Sequence, residues 1–322
     1  MTDFEKAITF SHPEFIPVSV SLFKPTWQRH GLPLYDLVKR HPNLFPNVKS
    51  FNEMSNPPLW WAYETGKHTD HWGCEWDNLV EGHDSFCITH PLEDLDKVDE
   101  LPIPTRDVGL EHGLLFLRLT FLRGYENAMI DFAEERPEFF QLIDKVTAYA
   151  ERQTELRLRE MKPDELVISY GDDLGTQKAL PTGPEKWRKI LKPYFARLFK
   201  HAKDAGKLVF MHTDGCIYDI IPDLKDCGVD IVNPQFRANG LDNLVRVTRG
   251  QGRERIAVQL DLDRQLFPFA TPKQLHDHVM ECTRALYTPE GGLSLFAELS
   301  EDVPLENIEA LLEGLEEARV YR

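Results

Sequence analysis

The chain has 322 residues, 42% of them hydrophobic and 28% charged, which supplies a packed core and excludes a disordered tail protein. Lys and Arg number 37 against 53 Asp and Glu, a formal net charge of -16 without any Lys/Arg run, so neither nucleic acid nor an anionic membrane is expected as a partner. Five scattered cysteines without a CxxC pair exclude a disulfide framework and a zinc finger. The first residues read as no signal peptide, and no window has the apolar length of a membrane span; with the cysteine usage, this points to a reducing cytoplasm.

In chain order, Ile16 to Ser21 reads as a buried strand and Leu34 to Arg40 as a short helix. From Phe51 to His90 the periodicity is poor while Trp60, Trp61, Trp72 and Trp76 accumulate, so loops and short hairpins are expected there. Phe121 to Ala133 reads as a helix. Pro137 to Met161 follows as a second, with Phe139, Leu142, Ile143, Val146 and Tyr149 on one face and proline where the first turn tolerates it. Strands at Leu166–Tyr170, Lys207–Met211, Val229–Val232, Ile256–Leu260 and Leu293–Phe296 then alternate with helices at Pro184–Asp204, Ile217–Cys227, Leu241–Thr248, Pro272–Tyr287 and Pro304–Ala318. Such alternation calls for a parallel sheet covered by helices. No GxGxxG and no P-loop lysine follows a strand, which disfavours an open dinucleotide fold. A single-domain (β/α)8 TIM barrel over 1–322 is expected, with an irregular capping region at about 51–90.

Polar residues follow successive strands, where a barrel collects its chemistry. The acids Asp172 and Asp173 lie beside glycines and can share a proton, bind a metal or cap a turn. His212 and Asp214, with Cys216 after them, offer imidazole, carboxylate and thiol in one short run. Strand alternation sends His212 and Asp214 to the same side. The competing reading is a buried histidine with Asp214 as a helix cap, and Cys216 is either a thiol activated by a helix N-terminus or a small apolar residue. Asn233, Gln235, Asp263 and Glu298 complete the set of strand-end candidates. Trp60, Trp61 and Trp72 either wall a pocket for a flat ring or pack the capping region.

The runs Gly171-Asp-Asp-Leu-Gly175, His212-Thr-Asp-Gly-Cys216 through Asn233-Pro-Gln235, Leu262-Asp-Arg-Gln265, Gly291-Gly292 and Asp302-Val-Pro-Leu-Glu-Asn-Ile308 resemble the uroporphyrinogen decarboxylase superfamily. Trp72-Gly-Cys-Glu-Trp76 and Arg123-Gly-Tyr-Glu-Asn127 are similar to stretches of its decarboxylase-like branch, and the likeness runs from about Phe10 to Leu312. The resemblance implies a barrel with its site at the C-terminal mouth, in either a metal-free decarboxylase or a zinc-dependent methyltransferase working with a corrinoid protein. The true decarboxylase carries an Arg-rich run near its start; here that region reads Ser21-Leu-Phe-Lys-Pro-Thr-Trp-Gln-Arg-His30.

Thiol-acceptor methyltransferases of the superfamily bind zinc through His-x-Cys and a later Cys. In this chain His212 matches the histidine, but Asp214 stands at the first cysteine and Ala297-Glu298 at the second. A nitrogen and oxygen ligand set leaves zinc a stronger Lewis acid, suited to an ether oxygen. The expectation is an O-demethylating enzyme with zinc on His212, Asp214, Glu298 and Asp172, and with Asp173 and Asp263 as catalytic acids. Trp60, Trp61, Trp72, Asn233 and Gln235 would face a small methoxylated donor, and cobalamin would arrive on a partner corrinoid protein. A homodimer is compatible with an acidic barrel of this kind. The alternatives are a metal-free decarboxylase or lyase, in which Asp172, Asp173 and Asp263 steady a cationic intermediate, and a corrinoid- or small-ligand-binding protein without chemistry.

Overall fold

A computed structural model describes residues 1–250 and 255–322. Its strands, in chain order, are β1 Val18–Leu22, β2 Gly66–Thr69, β3 Glu75–Asn78, β4 Phe86–Thr89, β5 Val167–Gly171, β6 Leu208–Thr213, β7 Ile231–Pro234, β8 Ala257–Asp261 and β9 Leu293–Leu299. The chain packs as two compact units, one of Met1–Trp60 with Gln235–Arg322 and one of Trp61–Pro234.

In the first unit β1 pairs in parallel with β9, and β9 with β8. Helices Pro272–Leu286 and Leu305–Arg319 pack on one another and bury apolar stripes that include Leu275, Val279, Leu286, Ile308, Leu311 and Leu315. Each such side chain withdrawn from water contributes about 1.5–3 kcal/mol before entropy is subtracted. The expected helix Leu34–Arg40 begins earlier, at Lys24, with a break where Gly31 takes φ 56.

In the second unit β5, β6 and β7 form a parallel ladder, while β2, β3 and β4 form a separate antiparallel sheet. The long helix Pro137–Glu160 buries Phe139, Leu142, Ile143, Val146 and Tyr149, the predicted face. Two predicted helices divide. Gly124 at φ 76 separates Phe116–Arg123 from Tyr125–Glu134, and Leu191 separates Pro184–Ile190 from Lys192–Asp204 just ahead of Pro193, which supplies no amide hydrogen. The predicted helix from Ile217 to Cys227 is a 3-10 turn, Tyr218–Ile220, followed by Ile221–Asp226.

The expectation of eight barrel strands is corrected: six parallel strands form among the described residues, three in each unit. Between β1 and β5 the chain builds the antiparallel sheet and helices instead. Residue Gly113 donates one backbone bond to Gly171 O at the end of β5, but the next amides do not extend a ladder. The N–H groups of Leu115, Phe116 and Leu117 point to the Asp172 carboxylate, at 3.1, 2.6 and 2.9 Å. Among the described residues, no helix is long and apolar enough to cross a membrane.

Candidate functional site

At the carboxyl ends of β5 and β6, three ligand atoms from His112, Asp173 and His212 lie within 4.8 Å of one another; no other such group of His, Cys, Asp or Glu occurs among the described residues. His212 comes from β6, whose burial alternates so that Val209, Met211 and Thr213 face the interior. Its Nδ1 donates to Asn233 Oδ1 at the end of β7, 2.6 Å away. That bond leaves the Nε2 lone pair facing Asp214 Oδ1 at 3.5 Å and Asp173 Oδ1 at 3.9 Å. A ring nitrogen between two carboxylates invites a cation, whether a proton or a metal ion.

His112 brings Nε2 to 3.2 Å from Asp173 Oδ2. Burial alone lowers the affinity of this imidazole for its proton, but the hydrogen bond to Asp173 and the charges of Asp173, Asp172 and Asp214 outweigh it and raise its pKa. Burial likewise raises Asp173, and the bond from His112, its charge and the amide of Asp214 reverse that to a net lowering. The His112 side chain is 40% exposed, so the pair stands at an opening rather than in a sealed interior.

Three local devices position these groups. Asp172 is fully buried, and its oxygens accept the otherwise orphaned amides at the start of helix Phe116–Arg123, anchoring the segment that follows His112. Burial raises its pKa to about 6, against the pull of those three amides. Gly171 makes room for the histidine: a Cβ there would come within 2.4 Å of His112 Nδ1. Gly175 and Gly215 let two loops touch through their backbones. A Cβ on Gly215, at φ +86, would meet Gly175 C and O at 2.2 Å, and the contact is closed by Gly175 N to Asp214 O at 3.2 Å and Cys216 N to Thr176 O at 2.7 Å.

The remaining candidates are placed differently from expectation. Asp172 serves backbone amides instead of joining the three-atom cluster. Glu298 lies in the other unit, paired with Arg264, and Asp263 forms a two-point pair with Arg237 at 2.8 and 2.7 Å. Gln235 precedes the short helix Phe236–Asn239, and its carbonyl accepts from Asn239. Cys216 is buried, and burial followed by the charge of Asp219 pushes its thiol pKa up, contrary to helix activation. Trp72 is 5% exposed and packs edge-on against Tyr149, Trp61 meets Trp76 edge-on, and Trp60 is largely exposed. His112 was missed by sequence reading. It lies in an irregular segment outside both the Trp-rich stretch and the strand ends, and the bare backbone of Gly171, far along the chain, makes space for it.

The family model described as Uroporphyrinogen decarboxylase (URO-D) matches residues 118–318, more than half of the chain. No curated protein matches. Among solved structures, xylanase 10B from Thermotoga petrophila RKU-1, in complex with xylobiose, is similar over 98% of both chains at 14% identity, with a TM-score of 0.40.

Proposed function

Because the chain belongs to the uroporphyrinogen decarboxylase family, we propose that it is a zinc-dependent methyltransferase of that family. It would move a methyl group from a small methoxylated donor to a corrinoid carried by a partner protein. The observation behind the reading is the meeting of His112, Asp173 and His212 at one opening. Two imidazoles and a carboxylate are ligand types that a catalytic zinc takes, with a position left for substrate. The spacings of 3.2 and 3.9 Å to the shared carboxylate suit groups converging on one ion. In this reading the ligand set differs from the expected one: His112 and Asp173 take the roles given to Asp172 and Glu298, His212 is retained, and Asp214 is adjacent.

Zinc, when bound, supplies Lewis acidity toward an ether oxygen. The chain's own contribution is orientation. Asn233 fixes the His212 tautomer so that Nε2 faces the site, an outer bond that metal-ligating histidines generally need. Asp173, held ionised by its partners, is a ligand in this reading rather than the leaving-group acid. In this reading Asp214, the carboxylate nearest His212 Nε2, would exchange a proton at the leaving oxygen.

A second reading draws on the same geometry. His112 and Asp173 already satisfy one another by a direct hydrogen bond, as a metal-free decarboxylase or lyase would use them to give a proton to a developing carbanion. Elemental analysis of the purified protein, of His112→Ala and of His212→Ala separates the two. About one zinc per chain in the wild type is expected, with loss in both variants and with methyl transfer to cob(I)alamin abolished by chelation. A metal-free wild type that turns over methoxylated donors at full rate would overturn the first reading; chelator-resistant release of carbon dioxide would establish the second.

A further inference from the structure

Away from this site, the antiparallel sheet of the second unit holds a pair of thiols. Cys74 immediately precedes β3 and Cys87 lies in β4, with Trp76 opposite Cys87 and a shift of register between Glu75 and Trp76. Both sulfurs approach one carbonyl, Phe121 O, at 3.5 Å from Cys74 and 3.8 Å from Cys87. His90 Nδ1, which donates to the same carbonyl at 2.8 Å, lies 3.7 Å from Cys87 Sγ. Exposure differs between the two: Cys74 is wholly buried, whereas Cys87 is half-buried on the outer strand of the sheet.

We propose that Cys74 and Cys87 form a reversible thiol–disulfide site, with Cys87 as the attacking sulfur, Cys74 as the resolving sulfur and a low-molecular-weight disulfide as oxidant. The thiolate of Cys87, its proton released to solvent, attacks one sulfur of the small disulfide. The S–S bond of that molecule breaks and one thiolate leaves, taking up a proton. Cys74 then loses its proton, its sulfur attacks Cys87 Sγ, and the mixed disulfide breaks to expel the second small thiol. The two protein thiols lose two electrons and two protons, and the small disulfide is reduced to two thiols.

The electrostatics fit this division of labour. The neighbouring thiol of Cys74 pulls the Cys87 thiol below its ordinary value against the cost of burial, with the charge of His90 adding to the pull, while the nearness of Cys87 and burial push Cys74 up. Oxidation pins β3 to β4 beside a polar frame in which Asp70 accepts the Cys74 amide at 3.0 Å, Trp76 Nε1 at 3.2 Å and Arg118 at 2.6 Å. Transient bridges of this kind are the form disulfides take in a reducing compartment.

Trypsin places both cysteines in one peptide, residues 68–97, which holds no other cysteine. The test equilibrates the folded, full-length protein with glutathione disulfide and glutathione at graded ratios, quenches with iodoacetamide, and weighs that peptide. The expected result is a species lighter by two hydrogens and closed to alkylation, which grows with the oxidised fraction and reverts with excess glutathione. Cys74→Ser is expected to stop at a glutathione adduct on Cys87. Two alkylated thiols at every ratio would overturn the proposal, as would a wild-type Cys87 adduct that persists without resolving. The wild-type measurement decides the matter even if the variant does not fold.

Discussion

The imidazole of His112 illustrates how little a single residue reveals by its position in the chain. Its ring fits only because residue 171 has no side chain; an alanine Cβ there would press on Nδ1 at 2.4 Å. The backbone of Gly171 is not in the left-handed region, and the ring is the movable end of a side chain, so Gly171→Ala is expected to leave folding stability within about 1 kcal/mol of wild type. The ring, however, must turn away from Asp173. Zinc affinity, read by competition with a chromophoric chelator, is expected to fall roughly 10-fold or more. Unchanged affinity with unchanged stability would remove His112 from the proposed ligand set. The same scale bears on Asp172, which the sequence offered as a metal ligand, a proton-sharing acid or a cap. A strand-end carboxylate beside a second one reads as chemistry, yet three amides arriving from Leu115, Phe116 and Leu117 claim its oxygens.

Secondary elements were legible wherever the apolar period was long, as in Pro137–Glu160, where one buried face recurs over many turns. They were misread where a single residue overrides the period: Gly124 and Leu191 each interrupt a pattern that is otherwise helical. Between elements, the loops after β5 and β6 are held together by the Gly175–Gly215 contact, which carries Asp173 and Asp214 with it. Gly215→Ala combines a positive φ with a clash against backbone that has no rotamer to yield. A loss of about 2–5 kcal/mol in urea unfolding is expected, together with loss of metal binding. A variant as stable as wild type would show that the two loops can separate without cost.

For the molecule as a whole, the acid limb of stability has a specific contributor in a buried histidine outside the three-residue cluster. His71 is buried beside Trp72, Tyr149 and Glu111, and burial, then the charges of Arg118 and Arg106, lower its pKa from 6.5 to about 4 against the opposing charge of Asp70. Between those two values the unfolded chain binds a proton that the folded chain refuses. Stability therefore rises with pH across that window and is lost on acidification, by about 3 kcal/mol for this residue. His71→Gln is expected to flatten the fall in urea midpoint between pH 6.5 and 4, and equal slopes in wild type and variant would assign the acid sensitivity elsewhere.

Read alone, the sequence determined the alternation of strands and helices and the superfamily likeness, and it singled out His212 as a candidate, because periodicity, turn residues and short motifs are local properties of a chain. Only the tertiary structure decided that His112 and Asp173 join His212, that Asp172 and Glu298 have other partners, and that Cys74 and Cys87 converge on one carbonyl. It also showed that residues 235–322 form one compact unit with residues 1–60. Each of these is a meeting of groups distant along the chain, fixed by which amides, charges and bare glycine surfaces are left to be satisfied once the elements have packed.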